Sequence, residues 1–207
     1  MMFTQLNKKF DIAILEKMPR PFIGIDEVGR GCLAGPVCAG VVILNEENPF
    51  SHYQDSKTLS EDKRKKLAED IMAHHQFAIG WATVNEVDDI NIRQATFLAM
   101  SRALKKLNIK SGTLLIDGRD TLPNISHYEQ LAIVKGDQQL RCISAAYIIA
   151  KVARDELMMA LAKDFPEYGF EKHKGYGTEF HRKAIRKYKP TEHHRKTFGG
   201  VKEYLST

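Results

Sequence analysis

Three short apolar runs in this 207-residue chain each deliver acids at or just beyond their ends. "FIGIDE" brings Asp26 and Glu27, "GTLLIDG" brings Asp117, and "QLAIVKGD" brings Asp137. Runs this short, bounded by glycine, read as buried strands. If the strands share a sheet, and the first and the later ones run parallel as neighbours, their C-terminal ends gather three or four carboxylates into one crevice. Open α/β sheets bind ligands at such places.

The periodicity along the chain supplies such a sheet. Residues 22–27 and 36–44 read as strands joined by a glycine-rich turn. Ser60 offers an N-cap, with Glu61 and Asp62 in the first turn of a charged helix that runs to about His75. "FAIGWATV" is a third strand. Asn91 with Gln94 makes a capping-box-like start for a longer helix whose Ala95, Leu98, Ala99, Ala103 and Leu107 share one face. Residues 112–118 and 130–137 are the fourth and fifth strands, the latter ending at Asp137. "ISAAYIIAKVARDELMMALAKDF" is a helix with an apolar stripe, and basic helical material comes last. This order predicts an α/β fold, a mixed five-stranded sheet flanked by helices with a basic helical C-terminal extension. At this length the chain suits one domain over residues 1–207, with 171–207 as its basic segment.

The net charge of +5 is unevenly placed. From Glu171 onward ten Lys and Arg stand against four acids, so the remainder is close to neutral. Tyr176, Phe180, Tyr188, Phe198 and Tyr204 interleave with those cations, a mixture suited to a phosphate backbone plus stacking surfaces. A solvated helix face is the competing reading. Cys32, Cys38 and Cys142 form no C-x-x-C pair and leave an odd thiol, so neither a disulfide framework nor a thiolate zinc site is implied. No apolar run approaches the roughly 20 residues of a membrane span. Lys8, Lys9, Asp11 and Glu16 precede any sustained apolar segment, which argues against a secretory signal. A cytoplasmic protein with no membrane association, and a monomer, is expected.

Four carboxylates in one crevice oppose one another's ionisation. Divalent cations resolve the conflict, and an oxygen-only ligand set favours Mg²⁺ or Mn²⁺ over zinc. Two ions about 4 Å apart can activate a water and stabilise a leaving oxygen in phosphodiester hydrolysis. A single aspartate at a strand end is more often a turn former or cap. The argument therefore lies in the set.

"GIDEVGRGCLAGPV", "DSKTLS", "LLIDG", "IVKGD", "ISAAYIIAKVARD", "HKGYGT" and "TEHHRKTFG", in this order along nearly the whole chain, resemble bacterial ribonuclease HII, the type 2 ribonuclease H. The resemblance implies a ribonuclease H-like fold with the first and fourth strands adjacent. It implies hydrolysis of the RNA strand of RNA/DNA hybrids and cutting 5′ of single ribonucleotides embedded in duplex DNA, leaving 3′-hydroxyl and 5′-phosphate ends. Ribonucleotide excision and RNA primer removal would be the roles served. It further implies that Asp26, Glu27, Asp117 and Asp137 are catalytic, the first three holding Mn²⁺ or Mg²⁺. Gly29, Arg30 and Gly31 match the turn that reads the 2′-hydroxyl and neighbouring phosphate. Tyr176 matches the tyrosine that packs on the deoxyribose following the ribonucleotide, and Lys57 matches a phosphate contact. Tyr147 stands where the family commonly has serine, and Gly200 where it has proline.

Other readings compete. Asp155 sits on the apolar side of its helix and rivals Asp137, though an ion pair with Lys151 or Arg154 explains it as well. His181, His193 and His194 suggest zinc, but "EHHRK" lacks an i, i+4 pair, and a solvated, phosphate-facing role is expected instead. A different two-metal nuclease would cut all-DNA substrates, which the glycines around Arg30 argue against. A non-catalytic hybrid-binding module would rely on the basic tail.

Overall fold

The computed structural model of the chain describes residues 12–45 and 60–205. A short helix α1 (Ile12–Glu16) precedes β1 (Phe22–Val28) and β2 (Val37–Ile43); α2 (Glu61–His74), β3 (Gln76–Ala82) and α3 (Val84–Leu107) follow. Next come β4 (Thr113–Asp117), β5 (Glu129–Ile133), α4 (Arg141–Asp164), α5 (Phe170–His173) and α6 (Glu179–Tyr188). The five strands form one sheet in the order β3-β2-β1-β4-β5. The β3-β2-β1 half is antiparallel, whereas β1, β4 and β5 run parallel. The expected adjacency of the first and fourth strands is thus present.

Helices cover both faces. Ile23, Ile25, Val41, Leu114 and Ile116 pack against α3 residues Ala95, Ala99 and Ala103 on one side. Phe22, Val42 and Leu115 pack against Cys142, Ala146 and Ile149 of α4 on the other, with α2 laid over α4 through Ala68 and Ile71. The α4 contact is close because a Cβ on Gly24 would stand 2.2 Å from the Cys142 carbonyl carbon, and one on Gly40 2.2 Å from Ala146 O. Glycine in these strand centres lets the helix sit down on the sheet. None of the helices among the described residues is long and apolar enough to cross a membrane.

Two element boundaries differ from expectation. Helix α3 starts earlier, at Val84, behind a full capping box in which Thr83 Oγ1 accepts Glu86 N and Glu86 Oε2 accepts Thr83 N. Asn91 is a kink inside it, at φ 65°, and its Oδ1 accepts the amides of Arg93 and Gln94, so it restarts the helix rather than starting it. Strand β5 stops at Ile133. Lys135, at φ 57°, turns the chain into a single 3₁₀ turn, Gly136–Gln138, and Asp137 is carried there rather than on the strand.

Candidate active site

Strand alternation sorts the acids. Residues 22, 24 and 26 of β1 face α4, and 23, 25 and 27 face α3. In the parallel register Ile25 pairs Ile116, so Asp26 and Asp117 occupy the next rung, on the same α4 side of strands about 4.8 Å apart. Asp117 Oδ1 accepts the Gly136 amide at 2.6 Å, which ties the 3₁₀ turn bearing Asp137 to the end of β4. Glu27 emerges on the α3 side and pairs with Arg30 at 3.1 Å. The acids therefore wrap the end of the sheet instead of lying on one face.

Their electrostatics show that they sense one another. Burial raises the Asp26 carboxyl well above the usual carboxylate range, and repulsion from Glu27, Asp117 and Asp137 raises it further. Burial also raises Glu27, with Arg30 opposing. Asp26 Oδ1 accepts the Glu27 amide at 2.6 Å, while its buried Oδ2 has no hydrogen-bond partner. A buried, unpartnered carboxylate oxygen amid three further acids suits a hard divalent cation. Among the described residues no three His, Cys, Asp or Glu side chains are arranged to hold a metal ion together.

Gly29, Arg30 and Gly31 form the turn that leaves β1, and the two glycines serve different ends. Gly29 has φ +95° and a Cβ there would meet Arg154 Nε at 2.2 Å, so the fold itself requires glycine. A Cβ on Gly31 would meet nothing within 4 Å. The protein leaves that space open, next to the acids.

Two buried arginines brace this turn. Arg195, fully buried, donates to Gly29 O at 2.7 Å, Arg30 O at 2.8 Å and Gly35 O at 2.8 and 3.1 Å. Arg154, also fully buried, donates to Pro36 O, Ala34 O and Lys174 O at 2.8–3.0 Å. Their planar donor forks answer carbonyls, not carboxylates. Burial brings the Arg195 guanidinium down to about 10, still charged at neutral pH. Sequence reasoning missed Arg195, because an arginine in "EHHRK" carries no mark distinguishing it from a solvated one, and it offered Arg154 as an ion-pair partner of Asp155 where the structure sets it on carbonyls.

The Tyr176 loop docks on the same turn. Cys32 and Tyr176 form an antiparallel bridge, and Leu33 N donates to Gly175 O at 2.8 Å, which ties the loop of the half-exposed Tyr176 to the residues that follow Gly31. Lys151 Nζ stands 6.0 Å from that ring centre. The other expectations resolve unevenly. Asp155 pairs with Lys151 at 2.6 Å, while the acids that act on Asp26 are Glu27, Asp117 and Asp137. His181 and His194 are fully buried and joined to each other at 3.1 Å, which corrects their expected solvated, phosphate-facing role. For His181 the reason is that α6 is amphipathic, with His181, Ala184 and Ile185 on its inner face; His194 lies beyond α6 and packs against Tyr168 and Phe170. Lys57 lies outside the described residues.

A pocket of about 30 Å³ between Glu27, Arg30, Arg93, Asp117 and Asp120 adjoins the acids. Two roomier grooves, about 400 and 420 Å³, lie along Leu104–Lys105 with Tyr128 and along Leu157–Leu161 with His193; none of the four acids lines either.

A sheet whose parallel strands end in a buried acid cluster beside an open glycine turn has known counterparts. The family model described as Ribonuclease HII matches residues 23–201. The chain belongs to the ribonuclease HII family. A ribonuclease HII of Pelagibacter ubique is 47% identical over 182 residues, 88% of this chain and 97% of that one. The ribonuclease H2 of Pyrococcus horikoshii superposes with a TM-score of 0.75 at 25% identity, covering 88% and 96% of the two chains. Bst-RNase HIII, solved in complex with Mn²⁺, gives a TM-score of 0.67 at 18% identity, covering 88% and 68%. The ribonuclease H-like fold and ribonuclease H activity on RNA/DNA follow, and the enzyme is a metal-dependent endonuclease as that family is.

Proposed function

We propose that this ribonuclease HII cuts the RNA strand of hybrids and also cuts 5′ of single ribonucleotides in duplex DNA, leaving 3′-hydroxyl and 5′-phosphate ends. The observation that carries the finer reading is the open space at Gly31, on the turn that leaves β1 directly after Asp26 and Glu27. Only the 2′-hydroxyl separates RNA from DNA at one position, and reading it by backbone groups needs a residue that leaves room. Gly31 leaves that room, and Arg195 fixes the turn that presents it through the carbonyls of Gly29 and Arg30.

Asp26, Glu27 and Asp117 are the residues that hold the cations, and Asp137 completes the charge set from its turn. Two Mg²⁺ or Mn²⁺ ions held there would supply activation of the attacking water and stabilisation of the leaving oxygen. Arg30, exposed at the turn and paired with Glu27, is placed to contact the neighbouring phosphate. Tyr176 offers a ring to the sugar that follows, a place where an added 2′-hydroxyl would crowd it. The exposed cations of α6 and the flanking Phe180 and Tyr188 extend the surface for duplex backbone. Lys57 remains a candidate phosphate contact. Among the described residues nothing suggests membrane contact, and a cytoplasmic monomer is the working assignment.

The test compares a DNA duplex with one ribonucleotide, an all-DNA duplex and an RNA/DNA hybrid, with Mg²⁺, Mn²⁺ or chelator. Wild type should cut the first and third only with metal, and Asp117→Asn should lose about 10³-fold or more in rate while still binding. Gly31→Ala should melt like wild type yet lose the single-ribonucleotide cut. Unaltered cutting by Gly31→Ala would remove the 2′-hydroxyl reading and leave the hybrid nuclease in place.

A further inference from the structure

His173, His181 and His194 form a line of rings behind Tyr176. His173 stacks on His181 with centroids 4.5 Å apart at 18°, and His181 lies 5.2 Å from His194. Tyr168 and Phe170 wall the pair from solvent. Every ring nitrogen of the three is engaged, so no lone pair is left for a metal.

The partners fix where the protons sit. His194 Nδ1 faces the Thr191 amide at 3.0 Å and must accept, so its proton is on Nε2. That Nε2–H points at His181 Nε2, 3.1 Å away, which must therefore be bare. The His181 proton is then on Nδ1 and is donated to Tyr176 O at 2.9 Å. His173 Nδ1 accepts the Gly175 amide at 3.2 Å, and its Nε2–H goes to Tyr168 O at 2.8 Å. One self-consistent set of neutral tautomers satisfies every contact. The chain of donors runs from Thr191 through both rings and ends on the Tyr176 carbonyl.

That carbonyl needs holding. Lys174 and Gly175 before it are in left-handed conformations, φ 51° and 87°, and such a turn drifts unless its polar groups are pinned. Tyr176 is pinned by the Cys32 bridge on one side, by its own turn, in which Tyr176 N donates to His173 O at 2.9 Å and Tyr176 O accepts Thr178 N at 2.8 Å, and by the histidine line, which adds the one side-chain donor to that carbonyl among the described residues.

We infer that His194, acting through His181, is a positioning residue for Tyr176, holding its backbone so that the ring stays where the sugar after the ribonucleotide packs. This rests on the role given to Tyr176 above. The line is a relay of position: no proton crosses it during the reaction. An apolar ring in place of His194 fills the volume and loses the tie.

Two measurements test it. Long-range ¹H–¹⁵N correlation of the histidine rings in the wild-type enzyme at neutral pH should show His194 protonated on Nε2 and His181 on Nδ1. The reverse tautomer at His181 would overturn the relay. The second measurement is the ratio of kcat/KM for the single-ribonucleotide duplex to that for the continuous hybrid. His194→Ala should lower that ratio about tenfold, mostly through KM. His194→Gln, whose Nε2–H can donate to His181 while its Oε1 accepts from Thr191, should restore most of it. If His194→Ala merely melts lower and keeps the wild-type ratio, His194 is a packing residue and the inference fails. Tyr176→Ala is the control for the underlying role. An unchanged ratio there would remove that role, and the positioning claim with it, whatever the tautomers.

Discussion

Asp26 and Arg195 are both charged and both buried, and the chain around them treats them in opposite ways. Arg195 meets three carbonyls that its fork satisfies. Asp26 meets three other acids, and one of its oxygens meets no hydrogen-bond donor. Burial is costly for either charge unless partners compensate. Where the protein supplies them, the residue holds the structure. Where it withholds them, the site is left to a partner from outside.

Breaking the satisfied side should cost most. Arg195→Ala leaves a cavity behind the glycine turn, takes the Arg195 donors from the carbonyls of Arg30 and Gly35 and leaves Gly29 O only the Cys32 amide, so a loss of about 3 kcal/mol is expected. Arg195→Lys should recover only part of it, because a single ammonium cannot reproduce the fork. Urea denaturation monitored by fluorescence of Trp81 measures both. A near-wild-type midpoint for Arg195→Ala would show the brace to be ornamental.

Acid should attack the same region next. Burial holds His181 down to about 4 and His194 to about 3, with repulsion from His173, His193 and Arg182 contributing. A depressed folded value means that the unfolded chain takes up protons first. The stability from these neutral rings is therefore complete above about pH 6.5 and is lost as pH falls toward the folded values. The first protonation should remove about 2 kcal/mol between about pH 6.5 and 5. The difference in denaturation midpoint between wild type and His181→Asn/His194→Gln should shrink over that window. A constant difference would mean that the rings are not held neutral.

The unsatisfied side should respond with the opposite sign. Asp26→Asn removes a charge that burial and three acids oppose, so the metal-free protein should gain about 1 kcal/mol while losing activity. Mn²⁺ should raise the melting temperature of wild type and not of Asp26→Asn. Destabilisation by Asp26→Asn in metal-free buffer would contradict the electrostatic reading of the cluster.

The same contrast explains what could be read from sequence. The acids were legible because each follows an apolar run, and sheet ends turn such spacing into proximity. The pattern "LAIVKGD" predicts a strand that ends at Asp137, because nothing in it reveals that Lys135 goes left-handed. Thr83 with Glu86 was a visible capping box that would have put the start of α3 at Val84. Arg195, His181 and His194 were illegible for a physical reason. Within a run of charges a buried cation and a solvated one look alike until the fold brings the carbonyls of residues 29–35 against them.

The smallest effect concerns the outer face of that same C-terminal segment. Removing everything from Lys172 onward would take away Arg195, Ile185 and Val201, which are buried, so such a truncation measures folding and not binding. Lys183 and Lys187 on α6 are exposed; Lys183 pairs with Glu179 at 2.7 Å, and Lys187 lies 4.8 Å from the Tyr188 ring centre. Exposed pairs of this kind add little stability. Lys183→Gln/Lys187→Gln should therefore melt within about 0.5 kcal/mol of wild type. If both side chains meet phosphates, the slope of log affinity against log salt for a hybrid duplex should fall by about 2. An unchanged slope with unchanged stability would confine the nucleic-acid surface to the turn and the Tyr176 loop, and would make the basic outer face of α6 a solvated helix face.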